Sequence, residues 1–252
     1  MKYFLTIAAS DNCGGAGIQQ DIKVAALLGY WGLSAITGLT VQNFTNVDSI
    51  FPVAPEILSQ QIEKNLNSFE IKAIKIGAIC SEENIKAISK ILKEHQLNNV
   101  VLDPVFSPTK GKSFVNKNSI QLYKEQLLPH VYLITPNKDE LSLLTGITIV
   151  EFEQGINAGK NLFKQYGCMV YLKGGHFKGT KIKEALIGRD DTFINQKKKL
   201  ILPYSHGTGC SFSSALSCFL GNGLSLKDAC SKASEFVNKY YESINKANII
   251  KS

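Results

Sequence analysis

Lys2-Tyr3-Phe4-Leu5-Thr6-Ile7-Ala8-Ala9-Ser10-Asp11-Asn12-Cys13-Gly14-Gly15-Ala16-Gly17-Ile18-Gln19-Gln20-Asp21 decides how the chain is read. An apolar, β-prone run gives way to a turn with three glycines in four positions, and an amphipathic segment follows. The single early charge and short apolar stretch resemble a secretion signal until Asp11 and the glycines interrupt them. The segment therefore reads as a buried strand over 2–8, a glycine turn, and a helix near 16–28.

The same alternation recurs outward from this unit. Strands are predicted near 33–40, 72–77, 99–103, 131–134 and 168–172. Helices are predicted over 54–68, 81–96, from near Asn137, and over 151–166. Glu184 to Gly188 and Asp191 to Ile194 read as a hairpin turning at Gly188 to Asp190, and helices from about Gly207 and Ser225 close the chain. Such alternation implies βαβ units and a largely parallel sheet, an α/β fold. No Pro-, Ser- or Gly-rich linker and no repeat is visible, so one domain over 1–252 is expected.

Composition narrows the function classes. The 252 residues are 44% hydrophobic and 19% charged, which excludes disordered, collagenous and disulfide-scaffold chains. No apolar run approaches the roughly 20 residues of a membrane-spanning helix, so no membrane partner is expected. The six cysteines form no Cys-x-x-Cys and no Cys/His cluster, which fits a reduced, cytoplasmic setting. The net charge of +7 would suit anionic substrates. Its runs, Lys197-Lys198-Lys199 and Lys178 to Lys183, lack interleaved aromatics and read as a solvated face, not a nucleic-acid site.

Ligands of open parallel sheets bind at the carboxyl ends of strands, where the unusual residues of this chain fall. A dinucleotide fingerprint read from Gly15 and Gly17 fails at Gln20, where the third glycine should stand. A P-loop ending in Gly111-Lys112-Ser113 fails because Phe106 occupies its first glycine position. Near the other end, Pro203-Tyr204-Ser205-His206-Gly207-Thr208-Gly209-Cys210 leads into an apolar helix. A helix start offers free N–H groups and a positive dipole end, so this turn suits an anion and should lower the Cys210 pKa from its usual value of about 8.5. Taken alone, the turn fits equally a glycine-bearing helix start with no ligand.

Several motifs then occur together in order: Gly14-Gly15-Ala16-Gly17-Ile18-Gln19 with Asp21, Val41-Gln42-Asn43, Lys75-Ile76-Gly77, Leu102-Asp103-Pro104-Val105, Thr135-Pro136-Asn137 with Glu140, Lys173-Gly174-Gly175, and His206-Gly207-Thr208-Gly209-Cys210. Over residues 3 to 240 the chain resembles the hydroxymethylpyrimidine/phosphomethylpyrimidine kinases of thiamine biosynthesis, a vitamin-kinase branch of the ribokinase-like superfamily. The resemblance implies a three-layer α/β/α sandwich with a mostly parallel sheet. It also implies transfer of the ATP γ-phosphoryl group, with Mg²⁺, to 4-amino-5-hydroxymethyl-2-methylpyrimidine and then to its monophosphate.

Carried over by motif, Asp11, Ala16, Gln42 and Val105 would line the acceptor pocket. Asp103, Lys173 and Thr208 would meet ATP phosphates, and Asn137 and Glu140 would support Mg²⁺ through water. The Gly207 and Gly209 amides with Lys173 would stabilise the transferred group, and Cys210 would take the hydroxyl proton. Small-molecule substrates and a homodimer are expected. Ala9, Cys13, Ala78 and Phe106 depart from the family pattern and put the pocket shape in question. Pyridoxal kinases of the same branch share the approach to the anion turn, but Gln42-Asn43 favours the pyrimidine. A non-catalytic vitamin-binding protein and an NAD-dependent oxidoreductase are the rival readings. His95 and His130 read as surface residues and His176 as a loop residue. Trp31 reads as core or interface packing, and Cys80, Cys168, Cys218 and Cys230 as small core residues.

Overall fold

Strand β1 (Lys2–Asp11) pairs in parallel with β2 (Tyr30–Gln42) on one side and β4 (Ile71–Ile76) on the other. From β4 the parallel sheet continues through β5 (Val100–Leu102), β6 (Leu133–Ile134) and β7 (Met169–Leu172). Antiparallel strands finish both edges: β3 (Val47–Pro52) beside β2, and β8 (Lys181–Ile187) with β9 (Thr192–Lys198) beyond β7. The order is β3-β2-β1-β4-β5-β6-β7-β8-β9. This computed structural model describes residues 1–107, 114, 116–177, 179, 181–189, 191–198 and 204–247; Gly111, Lys112, Ser113, Lys178, Asp190, Lys199 and Pro203 lie outside them.

Both faces of the sheet are covered. Val100 and Leu102 join a core with Ile85, Ile88 and Leu92, whereas Val101 joins a second core with Val24, Phe212 and Leu216. Ile134 and Leu133 divide the same way, as do Val170 and Leu172 against Tyr171. A strand buried on both faces needs apolar residues at every position, so these strands read as unbroken apolar runs. Helices α1 (Gly17–Leu27), α7 (Thr208–Gly221) and α8 (Leu226–Lys246) form one outer layer. The other contains α2 (Pro55–Ser68), α3 (Glu82–His95), α4 (Lys117–Leu122), α5 (Lys138–Thr145) and α6 (Phe152–Tyr166). The expected three-layer α/β/α arrangement is present.

Some expectations are corrected. Strand β3 is absent from the predicted elements because only Val47 of its six residues is buried; its pairing with β2, Leu39 opposite Phe51, defines it. The helical stretch from Lys117 to His130 is likewise absent from the predicted elements. Its six-residue α-helix passes into a π turn and then a 3-10 turn at Pro129, so no sustained 3.6-residue period exists. The C-terminal hairpin is longer than predicted, spanning Lys181–Ile187 and Thr192–Lys198. Trp31 is 59% exposed and is no core residue. Lys197 is not merely solvated: it pairs with buried Glu184 at 3.1 Å and bonds Ser234 of α8, which ties the edge hairpin to the outer layer.

Candidate active site

The carboxyl ends of β5 and β7 bring Asp103 and Lys173 together. Lys173 Nζ donates to Asp103 Oδ1 at 2.8 Å and lies 3.5 Å from Glu140 Oε2. Asp103 is almost fully buried and also accepts the hydroxyls of Thr135 at 3.1 Å and Ser213 at 3.2 Å. Burial opposes its charge, but the ammonium groups of Lys173 and Lys75 and these bonds hold its carboxyl below the ordinary range. Burial works against the Lys173 charge too, and Asp103 and Glu140 more than restore it, raising its pKa. Glu140 behaves oppositely: burial pushes it up to about 7, with Lys173 opposing and Asp103 reinforcing the rise.

Asn137 and Glu140 form the N-terminal capping box of α5. Asn137 Oδ1 accepts the Asp139 and Glu140 amides, and Glu140 Oε2 accepts the Asn137 amide at 2.6 Å. Capping therefore accounts for their spacing, while tertiary packing sets Glu140 beside Lys173. His176 crosses to Asp139 at 2.8 Å, outside this cluster.

Helix α7 enters the same cleft. Gly207 is its N-cap in the left-handed region, φ 80°, and no side chain caps the helix. Thr208 and Gly209 follow at its first turn. A Cβ on Gly209 would stand 3.4 Å from Lys173 Nζ and 3.7 Å from Asp103 Oδ2, so the turn borders the charged cluster directly. From the layer outside, Tyr241 donates to the His206 carbonyl at 2.8 Å, and Asn245 exchanges bonds with the Tyr204 backbone at 2.9 and 3.0 Å. Those two α8 residues, four apart on one helical face, clamp the turn and were not foreseen from sequence.

The first glycine turn is built against the second. A Cβ on Gly207 would lie 1.9 Å from the Gly15 carbonyl oxygen, and one on Gly15 would lie 2.6 Å from His206 and 2.7 Å from Tyr204 Oη. Close contact between the two turns thus accounts for Gly207, against backbone, and Gly15, against side chains. Asp11 holds this turn: its carboxylate accepts the Cys13 amide at 2.8 Å and the Ala16 amide at 2.7 Å, with His206 Nε2 at 3.7 Å. Burial opposes ionisation of Asp11, but His206, Gln42 and these amides keep its pKa at about 2. Gln42 is tied through its backbone to Asn12, 2.9 Å, and to the Cys13 thiol, 2.8 Å, which leaves its half-buried side chain beside Asp11. At Gln20, where a dinucleotide site would have glycine, the amide instead donates to Ser211 of α7 at 2.9 Å.

Val105 packs on a small cluster of Ala9, Ala78 and Cys80, so two of the departing residues border Val105. Phe106 does not: it is fully buried in the core, edge-on to Tyr123 at 5.1 Å. The expected fall in the Cys210 pKa is also corrected. Burial pushes the thiol up to about 11; Lys75 and the Gly17 amide favour the thiolate, while Asp21 and Asp103 oppose it. Desolvation outweighs the helix ends.

The family model for phosphomethylpyrimidine kinase matches residues 11–251. The chain belongs to this family. A hydroxymethylpyrimidine/phosphomethylpyrimidine kinase of Haemophilus influenzae is 36% identical over 94% of this chain and 90% of the relative. The bifunctional thiamine biosynthesis protein ThiED of Geobacter sulfurreducens is 34% identical over 92% of the chain, which spans 48% of that longer relative. Among solved structures, phosphomethylpyrimidine kinase from Clostridium difficile superposes with a TM-score of 0.84 at 30% identity, covering 95% of this chain and 99% of that one. An ADP complex of Bacillus subtilis pyridoxal kinase superposes at 0.85 and 32% identity, covering 94% and 90%. The phosphomethylpyrimidine kinase fold is therefore shared with pyridoxal kinases.

For a member of the phosphomethylpyrimidine kinase family the metal question is specific. Among the described residues no three of His, Cys, Asp or Glu group as a metal cage. With Asp103 committed to Lys173, Thr135 and Ser213, and Asn137 Oδ1 to backbone amides, Glu140 is the carboxylate best placed to support a hydrated cation. That sparse oxygen support fits Mg²⁺, which keeps much of its water. No helix of the described residues is long and apolar enough to cross a membrane.

Proposed function

We propose that this chain transfers the ATP γ-phosphoryl group to 4-amino-5-hydroxymethyl-2-methylpyrimidine and then to its monophosphate, using one site for both acceptors. The observation that carries this reading is the convergence of Lys173, Asp103 and Glu140 on the uncapped start of α7 at Gly207 to Cys210. Phosphoryl transfer asks mainly for alignment and charge stabilisation, and the α7 amides with Lys173 supply both. Mg²⁺, when bound, would neutralise phosphate charge, with Glu140 holding its waters and Asn137 setting Glu140 in place through the capping box.

Lys173 passes from its two carboxylate partners toward the phosphate. Cys210 accepts the acceptor's hydroxyl proton, which requires its thiolate although burial disfavours that form. Gln42 reads the aminopyrimidine edge with an amide that both donates and accepts. Asp11 and Ala16 shape the acceptor wall through their mutual bond, and Val105 adds an apolar contact. We read the chain as one domain, acting as a cytoplasmic homodimer on small molecules, with no nucleic-acid partner.

A coupled ADP-release assay with the hydroxymethylpyrimidine, its phosphate and pyridoxal tests the reading. Turnover with both pyrimidines above that with pyridoxal is expected. Efficient pyridoxal turnover with none on the pyrimidines would reassign the acceptor, and binding without ADP release would make the chain a vitamin-binding protein.

A further inference from the structure

Lys75, at the carboxyl end of β4, has no exposed surface, and its ammonium donates to both oxygens of Asp21, at 2.9 and 2.8 Å. Asp21 on α1 also accepts the Thr6 hydroxyl at 2.6 Å and the Ser214 hydroxyl at 2.8 Å. Ser214 stands one helical turn after Cys210 on α7, so the ion pair lies under the helix face that carries the thiol. A Cβ on Gly77 would come within 2.7 Å of Lys75 Nζ, so the space around the ammonium is tight and its position is fixed. Burying an ion pair is seldom more stabilising than an apolar pair of similar volume, so packing alone gives no reason for one here.

We propose that Lys75 is a positioning residue for Cys210: its ammonium, locked in place by Asp21, supplies the buried positive charge that makes the Cys210 thiolate attainable when the acceptor hydroxyl arrives. The inference rests on Cys210 being the proton acceptor. The charged and titratable groups that act electrostatically on this thiol are Lys75 from β4, Asp21 from α1, Asp103 after β5, Lys173 after β7 and Tyr241 from α8. Lys75 is the largest influence favouring the thiolate, and the Gly17 amide at the start of α1 acts in the same direction.

The test reads the thiol without substrate. Protein free of nucleotide is alkylated with iodoacetamide from about pH 7 to 11, and the Cys210 peptide is followed by mass spectrometry. In Lys75→Met the pH limb should move up by about one unit or more, the scale of a lost neighbouring charge, so alkylation on the limb slows about tenfold. Asp21→Asn, which leaves the ammonium without its counter-charge, should move the limb down. A pair that only packs the core, without acting on the thiol, would not send the two variants in opposite directions. If Lys75→Met fails to fold, Lys75→Met/Asp21→Asn replaces it, and its limb must lie above that of Asp21→Asn. A limb that stays put in these variants, or shifts the same way in both single variants, overturns the proposal. Failure of the Cys210 base assignment would show separately, as full turnover in Cys210→Ser.

Discussion

The two glycine turns, residues 11–17 and 206–210, press backbone to backbone yet use their charges differently. In the first, the Asp11 carboxylate is committed to the amides of its own turn, and the half-buried Gln42 side chain lies beside it, where we propose that it selects the acceptor. In the second, no side chain caps the helix, and the nearby charges, Lys173 with Asp103 and Glu140, pair with one another. One turn spends its carboxylate on its own backbone; the other leaves its helix start open beside a charged cluster. The difference teaches that glycine richness alone does not tell a ligand cradle from a packing junction, since both turns contain glycines that their neighbours require.

The strongest way to break the comparison is Gly207→Ala. Its φ of 80° and the 1.9 Å approach to the Gly15 carbonyl should cost about 4 kcal/mol or more, lowering the melting temperature by roughly 10 °C and removing activity. A melting curve like the parent's would show that the turns do not depend on each other. Cys210→Ser should lower kcat about 10²-fold or more for both acceptors while MgATP binding persists, as steady-state kinetics and nucleotide titration would record. Full activity would leave the α7 amides and Lys173 carrying the catalysis.

Lys173→Ala and Gln42→Ala sharpen the division between the turns. The first should reduce kcat about 10²-fold with either acceptor and leave acceptor KM nearly unchanged. The second should remove roughly 1–3 kcal/mol of kcat/KM for the pyrimidine, the cost of an unsatisfied polar partner. Equal losses in kcat and KM for both variants would erase the distinction.

The smallest effect concerns Asp11. Its folded pKa of about 2 lies below the ordinary carboxylate value of 3.8, so its stabilisation is present above about pH 4 and is lost as pH falls through 2. About 2 kcal/mol of unfolding free energy should disappear over that interval in the parent but not in Asp11→Asn, as denaturant titration at each pH would measure. An unchanged pH slope in the variant would remove Asp11 as the keeper of its turn.

The α/β class was legible along the chain, because strands buried on both faces must be apolar throughout and glycines must stand where backbones turn sharply or touch. The site motifs were legible there too, since Asp103 and Lys173 follow β5 and β7, Gln42 ends β2, and the Gly207 to Cys210 turn opens a helix. Edge strand β3 was illegible because its exposed residues carry no period until β2 pairs with it. Tertiary packing set Glu140, beyond its capping role, beside Lys173, drew Phe106 from the pocket into the core, and made burial outweigh the helix start at Cys210. Local pattern reports which residues a segment contains. Desolvation and charge pairing depend on what other segments bring within a few ångströms, and no window of sequence holds that information.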